Sequence, residues 1–170
     1  MYGRPFQHQH ATYGAHGIGL SVCVVGGNRG DPLELDFLDE NSISSAARAY
    51  GNKPLDVVIN VGGLPPNPKP WKDQTSSLML ERLRVMTIGP YLTMTEVLPQ
   101  LELAPNPKVI NIPSSFGSIS KPGFLSTRLT DWDGEDDMET CIKGLMKIIN
   151  SISHEDNGAF FKWDGSRIPF

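Results

Sequence analysis

The sequence predicts an α/β fold in which a mostly parallel sheet carries helices on both faces. Two observations carry that expectation. Short apolar runs of strand length, "LSVCVV" at 20–25, "LDVVINV" at 55–61 and "KVINI" at 108–112, alternate with longer stretches of helical periodicity. The first two runs also stop at glycine pairs, Gly26-Gly27 and Gly62-Gly63, which mark strands that turn sharply at their carboxyl ends. Alternating strands and helices imply right-handed crossovers, and ligands then bind beyond the carboxyl ends of the strands.

Taken in order, residues 20–25 read as a buried strand and residues 33–38 as a second, weaker one. Residues 41–50 place Ile43, Ala46, Ala47 and Tyr50 on one helical face, with Gly51 where a C-terminal cap belongs. The strand at 55–61 leads through the proline-rich "LPPNPKPW" into a helical stretch at 75–101. Gly89-Pro90 and Pro99 interrupt that stretch, so it should kink there. After the strand at 108–112, residues 136–152 form an amphipathic helix with Met138, Ile142, Leu145, Ile149 and Ile152 facing inward. Residues 159–163 close the chain as a strand before the Asp164-Gly165 turn. The strand order selects 26–30, 60–64 and 113–117 as neighbours around one crevice.

A chain of 170 residues suits one ordinary core, here a single domain at 20–170 after a flexible segment at 1–19. The formal charge of -4 gives no electrostatic footprint for nucleic acid or an anionic membrane. No apolar run has the length of a membrane span, and the polar start lacks a signal peptide's apolar core. Cys23 and Cys141 lie in apolar surroundings at no metal-site spacing and read as buried thiols, so we expect a cytoplasmic protein. His8 and His10 form no metal site, because no carboxylate or cysteine cluster completes one.

Several segments in matching order resemble the short-chain dehydrogenase/reductase family, in particular its carbonyl-reductase-like members. "LDVVINVGG" resembles the family's strand ending in Asn-Asn-Ala-Gly, with Asn60 and Gly63 retained. "VMTIGPYLTMTEVLPQL" is similar to its long interface helix and "KVINIPSSFGSIS" to the strand that carries its catalytic serine. "PGFLST" and "GAFFKWDGSRIPF" resemble its segment near the nicotinamide and its closing strand. The resemblance implies a Rossmann-like fold, shortened relative to the family.

Carried over residue by residue, the resemblance places Ser114 where the family holds its substrate oxygen. Met86 stands at the asparagine position. None of Tyr2, Tyr13, Tyr50 and Tyr91 begins the Tyr-x-x-x-Lys pair, in which a lysine one helical turn on lowers the tyrosine pKa for proton transfer. "GSISK" runs directly into "PGFLST", as though the catalytic helix and the next strand were absent between about Ser120 and Pro122. For the cofactor, "VGGNRGDP" resembles the glycine turn, so Gly26, Gly27, Gly30, Asp36, Asn60 and Gly63 are the positions that would hold NAD(P). Pro32 replaces the last glycine and no helix follows at once, so we expect no NAD(P) cofactor. Asp36 reads either as the adenine-contacting aspartate or as a solvated strand end.

The remaining chemistry lies at 113–137. Ser114, Ser115 and Ser118 supply hydroxyls that hold a carbonyl or phenol oxygen or, alternatively, cap a turn. Asp131 and Asp133, beside Trp132, are general bases if buried and loop acids or helix caps if not. Lys121 is a further acid/base candidate, and His154 reads as a surface or capping residue. Loss of a helix and strand opens a hydrophobic pocket lined by Trp71, Tyr91, Ser115, Phe116, Phe124 and Trp132, or leaves an apolar face at 75–101 for a homodimer. The function expected first is a cofactor-independent isomerase, dehydratase or cyclase acting on an apolar small molecule. The alternatives are a non-catalytic binding or regulatory dimer and an NADPH-dependent reductase with another proton donor.

Overall fold

The computed structural model describes residues 21–25, 35–61, 71–112 and 136–169, the first as backbone only. The chain forms two compact units, Gln7–Ile112 and a second that combines Met1–Phe6 with Pro113–Phe170. The sequence reading has one domain over 20–170. Each unit is described in turn.

The first unit is built on a three-stranded sheet, β1 (Ser21–Val25), β2 (Val57–Val61) and β3 (Lys108–Ile112), in that spatial order. β2 and β3 pair in parallel from Val57↔Lys108 to Val61↔Ile112. β1 pairs with β2 antiparallel, with Ser21 opposite Val61 and Val25 opposite Val57. The expected parallel direction of β1 is therefore corrected, for a physical reason. A run such as "SVCVV" offers the same backbone donors and acceptors in either direction and encodes none.

Helix α1 (Glu40–Tyr50) starts where the Asp39 carboxylate accepts the Asn41 N–H at 2.9 Å, a cap worth about 1 kcal/mol. It stops at Gly51, whose φ of 76° suits glycine and whose N–H donates to the carbonyls of Ala47 and Arg48. Its buried face, Ile43, Ala46 and Ala47, is the one that the spacing predicts. Ala47 packs with Leu55, Val58, Val97 and Leu101 in the principal core of this unit. Residues 35–38 are not a strand. The Asp36 carboxylate accepts the Leu38 N–H at 2.9 Å, a local turn that removes a ladder donor. Phe37 is instead buried against Ile43 and Val85.

The stretch at 75–101 is a chain of helical segments. Helix α2 (Ser76–Leu83), capped by the Thr75 hydroxyl, runs into a π-turn (Arg84–Ile88), helix α3 (Gly89–Glu96) and helix α4 (Leu98–Glu102). Pro90 has no N–H to continue an α-helical ladder, and the π-turn absorbs the defect: Gly89 N–H donates to the Arg84 carbonyl five residues back. A real break comes at Val97, with φ −98° and ψ 6°, and Pro99 falls in the first turn of α4, where its missing donor costs nothing.

In the second unit, helix α5 (Met138–Ser151) is capped by Asp137, whose carboxylate accepts the Thr140 N–H at 2.9 Å. The inward face differs from the expected stripe. Cys141 and Ile149 are buried, while Met138 and Ile142 are 39% and 46% exposed. The Trp163 backbone lies so close to Gly144 that a Cβ there would overlap its carbonyl oxygen. A face set by that approach centres on Cys141 and Gly144 rather than on Met138 and Ile142. Residues 159–163 are no closing strand. They turn back through Gly165, φ 91°, to make a single bridge between Phe161 and Arg167.

Gly89 offers a test of the packing beneath the π-turn. A Cβ at this position would fall on the Phe37 ring, and Phe37 is 3% exposed. Alanine is favoured over glycine in a helix by about 1 kcal/mol, yet overpacking a closed site costs about 1–3 kcal/mol. Gly89→Ala should therefore lower the urea midpoint at unchanged slope. A variant as stable as the parent would show that the Phe37 contact is slack.

Candidate functional site

Parallel pairing ends β2 and β3 at the same edge of the sheet, where Val61 exits beside Ile112. One residue before that exit, Asn60 lies directly opposite Asn111. The Asn60 Nδ2 donates to Asn111 Oδ1 at 2.8 Å. Asn60 is buried, 5% exposed, and among the described residues its Oδ1 has no hydrogen-bond partner. A buried amide oxygen left unpaired costs on the order of 1–3 kcal/mol, so the edge holds an acceptor ready for a donor.

β1 does not contribute its carboxyl end to this edge. Val25 lies beside Val57, at the far end of the sheet from Asn60. The expected crevice of three neighbouring loops is corrected to an edge shared by two strand exits. Gly26, Gly27, Gly30 and Gly63 lie outside the described residues, as do Ser114, Ser115, Phe116, Ser118, Lys121, Phe124, Asp131, Trp132, Asp133 and the histidines His8 and His10.

The described candidates take local roles. Asp36 is exposed; its carboxylate holds the Leu38 N–H and its own N–H donates to the Ser42 hydroxyl at 3.0 Å. Met86, at the family's asparagine position, stands 53% exposed on the π-turn. Tyr91 is 59% exposed on α3, and Trp71 begins a short 3-10 turn. His154 is exposed in the 3-10 turn His154–Asp156, where its carbonyl accepts the Asn157 N–H. Tyr50 donates its hydroxyl to the Pro54 carbonyl at 2.9 Å, with Lys53 Nζ 5.0 Å from its ring centre. Burial, and secondly the charge of Asp56, push its phenol above the ordinary value. That is the opposite of what a lysine-activated proton donor needs.

Cys141 is a buried free thiol, pushed up by burial and then by Asp136 and Asp137, so it is not a thiolate nucleophile. Asp137, Asp156 and Asp164 are held below the usual carboxylate range by hydrogen bonds, led by those from Thr140, Ser153 and Ser166. Each is a capping or turn acid, Asp137 and Asp164 exposed and Asp156 half-buried. An open groove of about 280 Å³, lined by residues that include Asn157, Phe160, Arg167 and Ile168, belongs wholly to the second unit. Among the described residues no group of three or more His, Cys, Asp or Glu is placed to hold a metal ion. No described helix is long and apolar enough to cross a membrane.

Asn111 is the residue that the sequence reading overlooks, and a signal for it existed. β2 and β3 carry the same tripeptide, Val58-Ile59-Asn60 and Val109-Ile110-Asn111, and the two copies pair position for position.

A parallel strand pair with a polar edge, flanked by helices, defines the class as a Rossmann-like α/β fold. Two solved structures share it. The carbonyl reductase Sniffer of D. melanogaster matches with TM-score 0.71 at 18% identity, over 81% of this chain and 77% of that one. An NADPH-bound carbonyl reductase from chicken fatty liver matches with TM-score 0.67 at 22% identity, over 81% and 76%. No protein-family model matches the chain. The short-chain dehydrogenase srdF of Neurospora crassa is 31% identical over 182 residues, 78% of this chain and 72% of its own length. This chain belongs to the short-chain dehydrogenase family.

The amide pair is testable through its exposed member. Asn111 is exposed, where a substitution ordinarily changes stability by less than about 0.5 kcal/mol. Asn111→Ala would strip the buried Asn60 of its remaining partner, so the expected loss is about 1–3 kcal/mol. Asn111→Asp keeps the acceptor and should retain most of the stability. An alanine variant that unfolds in urea like the parent would remove the pair from any structural account.

Proposed function

We propose that this chain is a short-chain-dehydrogenase-fold protein without hydride transfer, a cofactor-independent enzyme of isomerase, dehydratase or cyclase type that acts on an apolar small molecule. The observation that carries this reading is the chemistry at the shared strand edge. What stands there, or follows it within three residues in the sequence, is Asn60, Asn111 and Ser114. These are amides and a hydroxyl, groups that grip an oxygen. The sequence has no Tyr-x-x-x-Lys pair, and Tyr50 spends its hydroxyl on Pro54. The aligned stretch of the Neurospora relative, 182 residues, is longer than the 78% of this 170-residue chain that it covers, so the relative carries positions that this chain lacks.

The same reading has no NAD(P) in it. The chicken carbonyl reductase is bound to NADPH, but the described residues here fit a dinucleotide poorly. β1 runs toward the edge away from Asn60, and Asp36 is engaged by Leu38. In the proposed step Ser114 holds a carbonyl or phenol oxygen while Asp131 or Asp133 takes a proton from substrate carbon and returns it elsewhere on the same molecule. Such a transfer leaves the oxidation state unchanged, and positioning supplies much of its rate.

A second reading rests on α2. Helix α2 has no buried residue, and Met79, Leu80, Leu83, Met86 and Tyr91 are between 47% and 63% exposed across α2, the π-turn and α3. An apolar surface of that kind suits a homodimer through 75–101, with or without catalysis.

Three experiments separate these readings. Titration with NADPH, followed by tryptophan fluorescence and thermal melting, should give no signal change and no stabilisation. A rise in melting temperature at saturating cofactor would instead favour the reductase. Incubation with apolar carbonyl and phenol compounds, without cofactor, should show turnover that Ser114→Ala lowers on the order of a hundredfold. No turnover across the panel leaves the non-catalytic dimer. Leu83→Glu should convert a sedimenting dimer to monomer without loss of helix content; a parent chain that sediments as a monomer rejects the dimer.

A further inference from the structure

We propose that Asn157 is a site of spontaneous deamidation, in which the backbone nitrogen of Gly158 displaces the side-chain amide. Asn157-Gly158 is the one Asn-Gly step in the sequence. It occupies the two central positions of a type II turn, Asn157 with φ −59° and ψ 127° and Gly158 with φ 75°, closed by Ala159 N–H on the Asp156 carbonyl at 2.9 Å. In such a turn the central peptide presents its N–H outward. Both residues are exposed, and among the described residues neither the Asn157 side-chain amide nor the Gly158 N–H has a hydrogen-bond partner. A Cβ built on Gly158 would meet nothing within 4 Å, so nothing crowds the nitrogen.

The chemistry balances without a catalyst. The Gly158 nitrogen bonds to Asn157 Cγ, the Cγ–Nδ2 bond breaks, and ammonia leaves with the proton that the Gly158 nitrogen gives up. The cyclic imide then takes up one water at either carbonyl, opening to aspartate or isoaspartate. Both products add a negative charge beside Asp156, whose carboxylate is bound by Arg167 at 2.6 Å and by the Ser153 N–H at 3.0 Å. Isoaspartate also lengthens the main chain by one carbon and dissolves the turn.

The chain contains its own controls. Asn106 precedes Pro107, which has no N–H to attack. Asn41 and Asn150 are held inside α1 and α5, and the exposed Asn52 precedes the bulkier Lys53. The full chain is incubated at mildly alkaline pH, digested, and assayed by mass spectrometry with isoaspartyl methyltransferase labelling. Loss of amide at Asn157 should run several-fold faster than at Asn52 and leave Asn106 intact. Asn157→Gln should abolish the methyl label while melting like the parent. An Asn157 that keeps its amide while Asn52 loses it, or a Gln variant that accumulates isoaspartate at the parent rate, overturns the proposal.

Discussion

Parallel pairing of β2 with β3 is the constraint on which the first unit depends. It puts Val58 under α1 and α4, where the side chain is wholly buried with Ala47, Leu55, Val97 and Leu101. Two residues on, the same side of the strand carries Asn60. One register therefore fixes both the apolar core and the polar edge. A slip of one residue would turn Val58 and Asn60 to the opposite face together. Backbone bonds at the strand starts, from Leu55 N–H to Gln100 and from Lys108 N–H to Asp56, tie that register to α4 and to β2. The matched Val-Ile-Asn tripeptides make it the pairing in which each residue meets its own kind.

The long helical stretch shows how such a core tolerates a proline. Pro90 would leave a gap in an α-helical ladder, and the π-turn places it at the start of α3, where no donor is needed. The cost falls on the preceding residue, since Gly89 must sit flat against Phe37. Thr93 then returns its hydroxyl to the Gly89 carbonyl at 2.9 Å, inside the helix's buried side. The other side carries Met86 and Tyr91 into the open.

What the sequence made legible was whatever a single residue type or period determines. Gly51 ends α1, and Ile43, Ala46 and Ala47 form its inner face, because caps and helical spacing act locally. Two readings failed where the determinant was distant, and one where a local turn prevailed. β1 took its direction from a partner strand that its own five residues do not specify. Within the strand read at 33–38, the described residues form a turn in which the Asp36 carboxylate holds the Leu38 N–H. On α5 the expected stripe of Met138 and Ile142 lost to the approach of Trp163 against Gly144, a contact nineteen residues away that periodicity does not contain.

At the strand edge the sequence carries residue types, and the fold supplies their arrangement. Asn60 comes with the family resemblance, whereas Asn111 is marked in the sequence only by the repeated Val-Ile-Asn tripeptide and gains meaning from the register. That register changes how the edge is understood. A lone buried asparagine would spend its amide on the backbone, but Asn60 directs its N–H group to a neighbouring side chain, and its oxygen meets no donor among the described residues. A buried acceptor without a partner among the described residues is satisfied by a hydroxyl or an N–H. The register therefore sets which end of the Asn60 amide the strand pair itself satisfies.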